Sequence, residues 1–172
     1  GQGTVRSSAS AIVGRMSTDS AFASLTGAGT AMAAGNLMMS GTRTIFGSNA
    51  AVTVSGVLSG PGGLNTCVTN TLTLSGNNTY EGFTTVSNGT LLITHASALG
   101  STNSGTRVFS NTDATLRLSG SIEINEPLFF KNDKPVPVQY TSSLISDTGS
   151  NTIRSLITKE GNLRIRTESG AK

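Results

Sequence analysis

Charge is scarce in this sequence. Charged residues make up 12% of the 172, roughly half the ~25% usual in a globular domain. Aromatics are 5%, tryptophan is absent, and there is one cysteine and one histidine. A single cysteine forbids an internal disulfide. In GGLNTCVTNTL, Cys67 reads as a small buried apolar side chain. A catalytic thiol needs a base, and His95 is the sole histidine, so a Cys67/His95 pair is disfavoured. One cysteine and one histidine in these contexts make no zinc site. No stretch approaches the ~20 apolar residues of a membrane span. The sequence opens on glycine without a charged-then-apolar leader, so a processed form or a fragment is expected.

Glycine, serine, threonine and asparagine are abundant instead. Disordered chains of low hydrophobicity normally carry more charge, and this one has recurrent Leu/Ile/Val strands, which argues against global disorder. Such a composition suits an extracellular β-solenoid or fibre. Net charge is +3. Residues 131–172 hold seven Lys/Arg against four acids, and the first 130 hold five of each, so the excess lies in the C-terminal quarter. A solvated face or a subunit contact explains that excess better than nucleic acid does.

The main signal is a repeat. Clear strands end at Val54, Leu74, Ile93, Leu118, Val138 and Ile157, with gaps of 20, 19, 25, 20 and 19 residues. The long gap contains ASALGSTNSG and reads as an insertion. A steady period near twenty residues means a stacked unit. Apolar alternation of period two means that the unit is strand-built. Each coil then lies about 4.8 Å from the next, with aliphatic side chains inward and Ser, Thr and Asn outward. The expected fold is all-β, a right-handed parallel β-helix with coils of about 20 residues and an irregular N-terminal cap or arm. Gly and Asn supply the corners. Asn77, Asn78, Asn88 and Asn151 are the corner candidates whose amides can bond neighbouring coils.

VTVSGVLSGPGGLNTCVTNTLTLSGNNTYEGFTTVSNGTLLITHASALGST resembles the autotransporter-associated β-strand repeat, also called the passenger-associated transport repeat. The shared residues are Leu58-Ser59-Gly60, Gly62-Gly63-Leu64, Thr71 to Gly76, Asn78-Thr79-Tyr80, Gly82, Thr84-Thr85-Val86 and Gly89-Thr90-Leu91. The close likeness covers residues 52–102, and residues 115–169 look like a weaker continuation. The sequence departs from the pattern at Cys67 to Asn70 and at Phe83, where the family usually has glycine. The resemblance implies a β-solenoid in a large bacterial secreted or surface protein, and no catalytic residues.

Residues 1–46 differ in composition, being rich in Ala, Gly, Ser and Thr with Met16, Met32, Met38 and Met39. They are expected to form an N-terminal cap or a strand-donating arm, with residues 47–172 as the solenoid. STDSAFASL is a candidate short helix capped by Ser17 or Asp19. TAMAAGNLMMSG and TRTIFGS read better as early coils. GTVRSSASAIVGR alternates weakly and is a candidate for strand donation to a neighbouring molecule.

Polysaccharide-cleaving chemistry on a β-helix needs two nearby carboxylates. Glu123 and Glu126 in INEP are three apart, which on a strand places them on opposite faces. Asp113, Asp133 and Glu160 read as turn residues. Arg164, Arg166 and Glu168 share a strand face as a solvated ladder, with Arg117 and Glu123 in similar roles. GPGGLN lacks the aspartate of a repeat calcium site, and SGPGG lacks the Lys-Ser/Thr of a phosphate loop. The sequons at Asn77 and Asn88 read as corners.

The expectation is therefore a non-enzymatic structural protein at the bacterial surface or outside the cell. It has no catalytic, cofactor-binding or metal residues. It would be a subunit of a filament or fibre joined by end-to-end or strand-addition contacts, with copies of itself as partners. It would bind no nucleic acid and insert no segment in a membrane. The alternative is an adhesin or glycan-binding passenger segment. Surface glycans would then stack on Tyr80, Phe83, Phe109, Phe129, Phe130 or Tyr140, and an exposed cluster of these favours that alternative.

Overall fold

Alternation of inward aliphatic and outward polar residues builds three parallel ladders that wind around one core. The computed structural model describes residues 4–6, 11–13, 23–26, 30–33, 36–48, 51–109, 114–131 and 141–168. Among these there is no helix. The fold is an all-β solenoid of stacked parallel strands, as the period implies.

The first ladder runs through β1 (Thr4–Arg6), β3 (Ala23–Thr26), β6 (Arg43–Ser48), β9 (Leu64–Leu74), β10 (Thr84–Ile93), β11 (Thr106–Phe109), β14 (Leu128–Lys131) and β17 (Ile157–Lys159). The second runs through β2 (Ala11–Val13), β4 (Thr30–Ala33), β7 (Ala51–Val54), the later halves of β9 and β10, then β12 (Thr115–Ser119), β15 (Thr141–Thr148) and β18 (Asn162–Thr167). The third consists of short pairs, β5 (Leu37–Met38) with β8 (Leu58–Ser59) and β13 (Glu123–Ile124) with β16 (Thr152–Ile153). Between these pairs the third side continues through single backbone bonds, Thr79 N to Leu58 O at 2.8 Å and Ser101 N to Tyr80 O at 2.8 Å.

Register stacks like on like. Val52, Leu72, Leu91, Leu116 and Leu144 form one buried column, and Val54, Leu74, Ile93 and Leu118 form the next. Each Leu so covered contributes about 1.5–3 kcal/mol relative to exposure. β9 and β10 turn from the first side to the second without breaking. At that bend Gly89 has φ +70°, and a Cβ there would stand 2.2 Å from the Val68 carbonyl oxygen. Only glycine fits both demands.

Three expectations about the repeat change. The extra length after Ile93 is split between the turn-rich stretch 94–105, which buries Ala98 and Leu99, and residues between β11 and β12. After Leu118 the next residue in the column is Ser146, twenty-eight positions on. Ile157 belongs to the first ladder, where it pairs with Leu128. The cause is the length of chain between β14 and β15, which lengthens this coil and shifts the period. Val138 lies outside the described residues.

The strands before residue 49 enter the same ladders. β3 pairs with β6 and β6 with β9, while β4 pairs with β7. β1 and β2, within the segment expected to donate a strand, pair inside the chain with β3 and β4. The end of the candidate helix STDSAFASL is strand instead, in β3, where Leu25 pairs with Gly47, and its expected caps Ser17 and Asp19 lie outside the described residues.

Candidate functional site

The outer face of the first ladder carries the molecule's concentrated surface chemistry. Outward positions there follow the column Thr85, Arg107, Phe129 and Thr158. Phe83 stands just ahead of β10, held by its carbonyl accepting from Leu64 N at 2.9 Å. Arg107 lays its guanidinium over the Phe83 ring, 3.4 Å from the centroid, a cation–π contact. Phe129 follows Arg107 on the adjacent strand. A side chain at Gly105 would meet the Pro127 carbonyl oxygen at 2.5 Å and the Phe129 ring edge at 3.0 Å, so the glycine lets strand and ring lie close. Lys131 reaches Glu160 at 3.4 Å on the far rim. With Phe130 and Thr158 these residues line a groove of about 330 Å³. Phe83, Arg107 and Phe129 are all half-exposed. Among the described residues no carboxylate pairs with Arg107.

A second hollow lies on the third side, lined by the polar residues Asn77, Thr79, Glu81, Ser97, Ser101 and Asn103 among others. It contains no aromatic ring and no cation.

The interior holds a polar network. The Thr84 hydroxyl donates to the Leu99 carbonyl at 3.0 Å, so the buried Tyr80 hydroxyl must donate to the Thr84 oxygen. One strand further, Thr106 donates to the Glu126 carboxyl, and Ser155 donates to the Glu126 backbone carbonyl. Glu126 is 3% exposed. Burial pushes its carboxyl up to about 8, with the Thr106 bond opposing. Burial likewise drives the Tyr80 hydroxyl far above its ordinary range.

Corner asparagines tie the coils together. Asn78 Oδ1 accepts from Leu58 N at 2.8 Å in the coil before, and its Nδ2 donates to the Ala98 carbonyl at 2.6 Å in the coil after. Asn151 accepts from Ile122 N at 3.1 Å and donates to the Leu118 carbonyl at 3.1 Å. Asn36, which sequence reasoning did not single out, accepts from Val57 N at 2.9 Å. Asn77 is exposed, and Asn88 sits at a register shift in β10.

Glu123 and Glu126 do point opposite ways. Glu123 is outside, where the bond from Arg154 at 2.7 Å holds its carboxyl below the usual range. Arg166 pairs with Glu168 at 3.3 Å, and Arg117 with Asp147 at 2.5 Å across two coils. Of the aromatics proposed for sugar stacking, Tyr80 and Phe130 are buried, because their positions fall on the inward phase of the coil. Phe83, Phe109 and Phe129 are half-exposed. Cys67 is half-exposed on the first side, not buried, because its neighbours Thr66 and Val68 take the inward phase. It lies on a different side of the coil from His95, whose Nδ1 accepts from Ser97 N at 3.1 Å in a turn. Asp113, Asp133 and Tyr140 lie outside the described residues. Among the described residues no group of three or more His, Cys, Asp or Glu could hold a metal ion.

Residues 69–93, the later half of β9 through β10 and the corner between them, are where a known family can be compared. They match the passenger-associated-transport-repeat family. This is the repeat that Thr71 to Gly76 and Gly89-Thr90-Leu91 resemble, and the matched stretch contains the Asn78 corner and the Gly89 bend. No curated protein and no solved structure matches the chain.

Proposed function

We propose that this chain is a passenger-type β-solenoid segment of a secreted or surface protein, that its role is structural, and that it performs no catalysis. Its mechanism is mechanical. Continuous parallel ladders, a stacked aliphatic core and asparagine bridges make a stiff rod. The observation that carries this reading is the exposed apolar rung at Ile165. Ile165 stands in register with Leu144, an inward core position, yet is 64% exposed. Ile153, Ile157 and Leu163 of the same coil are only partly buried. An apolar rung with open strand edges favours pairing with a further coil. A head-to-tail contact of that kind does not close on itself and extends a rod or a filament. Electron microscopy of the purified chain, with the mass of the dissociated subunit, tests this. Rods longer than one molecule, built from chains of this mass, support end-to-end assembly. Isolated particles at high concentration refute it.

A second reading has its own observation. The half-exposed Phe83 and Phe129 beside Arg107 form the aromatic cluster that a glycan-binding passenger segment requires. The two readings are compatible, because the groove opens on the outer face of the first ladder, whereas Ile165 belongs to the second.

A further inference from the structure

Resting on the glycan-binding reading, we propose that the groove between Phe83 and Glu160 binds a sugar carrying a carboxylate, of the uronic or sialic acid type. Three features choose that class. Phe129 offers a half-exposed flat apolar face, which suits the C–H face of a pyranose ring. Arg107 is held in place by the Phe83 ring, 3.4 Å beneath it, and no carboxylate among the described residues occupies its planar donor edge. That edge matches a carboxylate in two-point geometry, which a pre-positioned guanidinium binds at reduced entropic cost. Glu160 on the opposite rim, bridged to Lys131 through one oxygen, has acceptor capacity left for a sugar hydroxyl.

The last feature separates sugars from other anions. A polyphosphate or a DNA backbone would find Arg107 attractive but would bring no donor to the Glu160 carboxylate. A hydroxylated ring with one carboxylate satisfies both ends of the groove at once. The groove's volume, about 330 Å³, lies at the small end of the range for ligand pockets, which fits one ring and part of the next.

Calorimetric titration of the 172-residue chain with trigalacturonate and with sialyllactose tests the proposal. Each is paired with its carboxyl-reduced form, and a DNA oligonucleotide serves as a generic polyanion. Saturable binding of at least one acidic sugar is expected, and which one binds names the source. Carboxyl reduction and Arg107→Ala should each weaken binding by at least about tenfold. Arg107→Lys, which keeps the charge and loses the fork, should fall between Arg107→Ala and the parent. Phe129→Ala should weaken acidic and reduced sugars alike. Thr73→Ala, on the second side, should change nothing. Equal binding of the reduced sugars overturns the acidic class and leaves glycan binding standing. No binding of any sugar overturns both, as does Arg107-dependent binding of the oligonucleotide alone.

Discussion

Glu126→Gln should become increasingly more stable than the parent as pH rises, and the difference can be worked out from the burial of this one side chain. Glu126 is 3% exposed and takes a hydrogen bond from Thr106. In the folded chain its carboxyl is raised from 4.5 to about 8, so it holds its proton where the unfolded chain has lost it. The stabilisation from that proton is complete below pH 4.5. It is lost as pH climbs through the window up to about 8 and is constant above it. Each tenfold change in proton affinity is worth about 1.4 kcal/mol, so the loss across the window is about 5 kcal/mol. Glutamine keeps an acceptor for Thr106 and does not titrate. Urea midpoints for parent and variant, taken from pH 4 to pH 9, give the comparison. The two should nearly coincide at pH 4 and separate by about 1.4 kcal/mol per pH unit between pH 4.5 and 8, the variant being the more stable. A difference that stays flat through that window would refute the buried, protonated carboxyl.

Two further substitutions probe the coil. Gly89→Ala should destabilise by at least about 2 kcal/mol, since it combines a left-handed backbone with a clash against the Val68 carbonyl. Gly41→Ala, which meets open space, should stay within about 0.5 kcal/mol when the two variants are compared in thermal melts. Asn78→Ala leaves the Leu58 N–H and the Ala98 carbonyl without their partner. It should cost about 2–5 kcal/mol by urea denaturation, with faster amide exchange at Leu58.

The parallel ladders were legible because alternation and period are local signals. TLTLS and TLLIT share an inward phase, and the structure stacks Leu72 on Leu91 and Leu74 on Ile93. The period misled where loops lengthen a coil, because a strand's end says nothing about which side of the coil it occupies. Ile157 kept the arithmetic spacing and still fell on the first ladder. Cys67 was read from its apolar context, but phase decides burial: it alternates with Thr66 and Val68, which face inward. The buried pairing of Thr106 with Glu126 had no sequence signal beyond the three-residue offset from Glu123. It depends on strands twenty residues apart meeting in register. The groove did leave a trace. Phe83 replaces the glycine usual in the repeat, and its partner Arg107 lies one coil on, a proximity that only the register of β10 on β11 supplies.

The proposed end-to-end stacking rests on the exposed apolar rung at Ile165. Sedimentation equilibrium over a wide concentration range, on the parent chain and on Ile165→Glu, tests it most directly. A charge placed in that rung must be desolvated on stacking, so mass should rise with concentration for the parent while the variant stays a monomer. A parent chain that stays monomeric throughout, or a variant that associates as well as the parent, would contradict it.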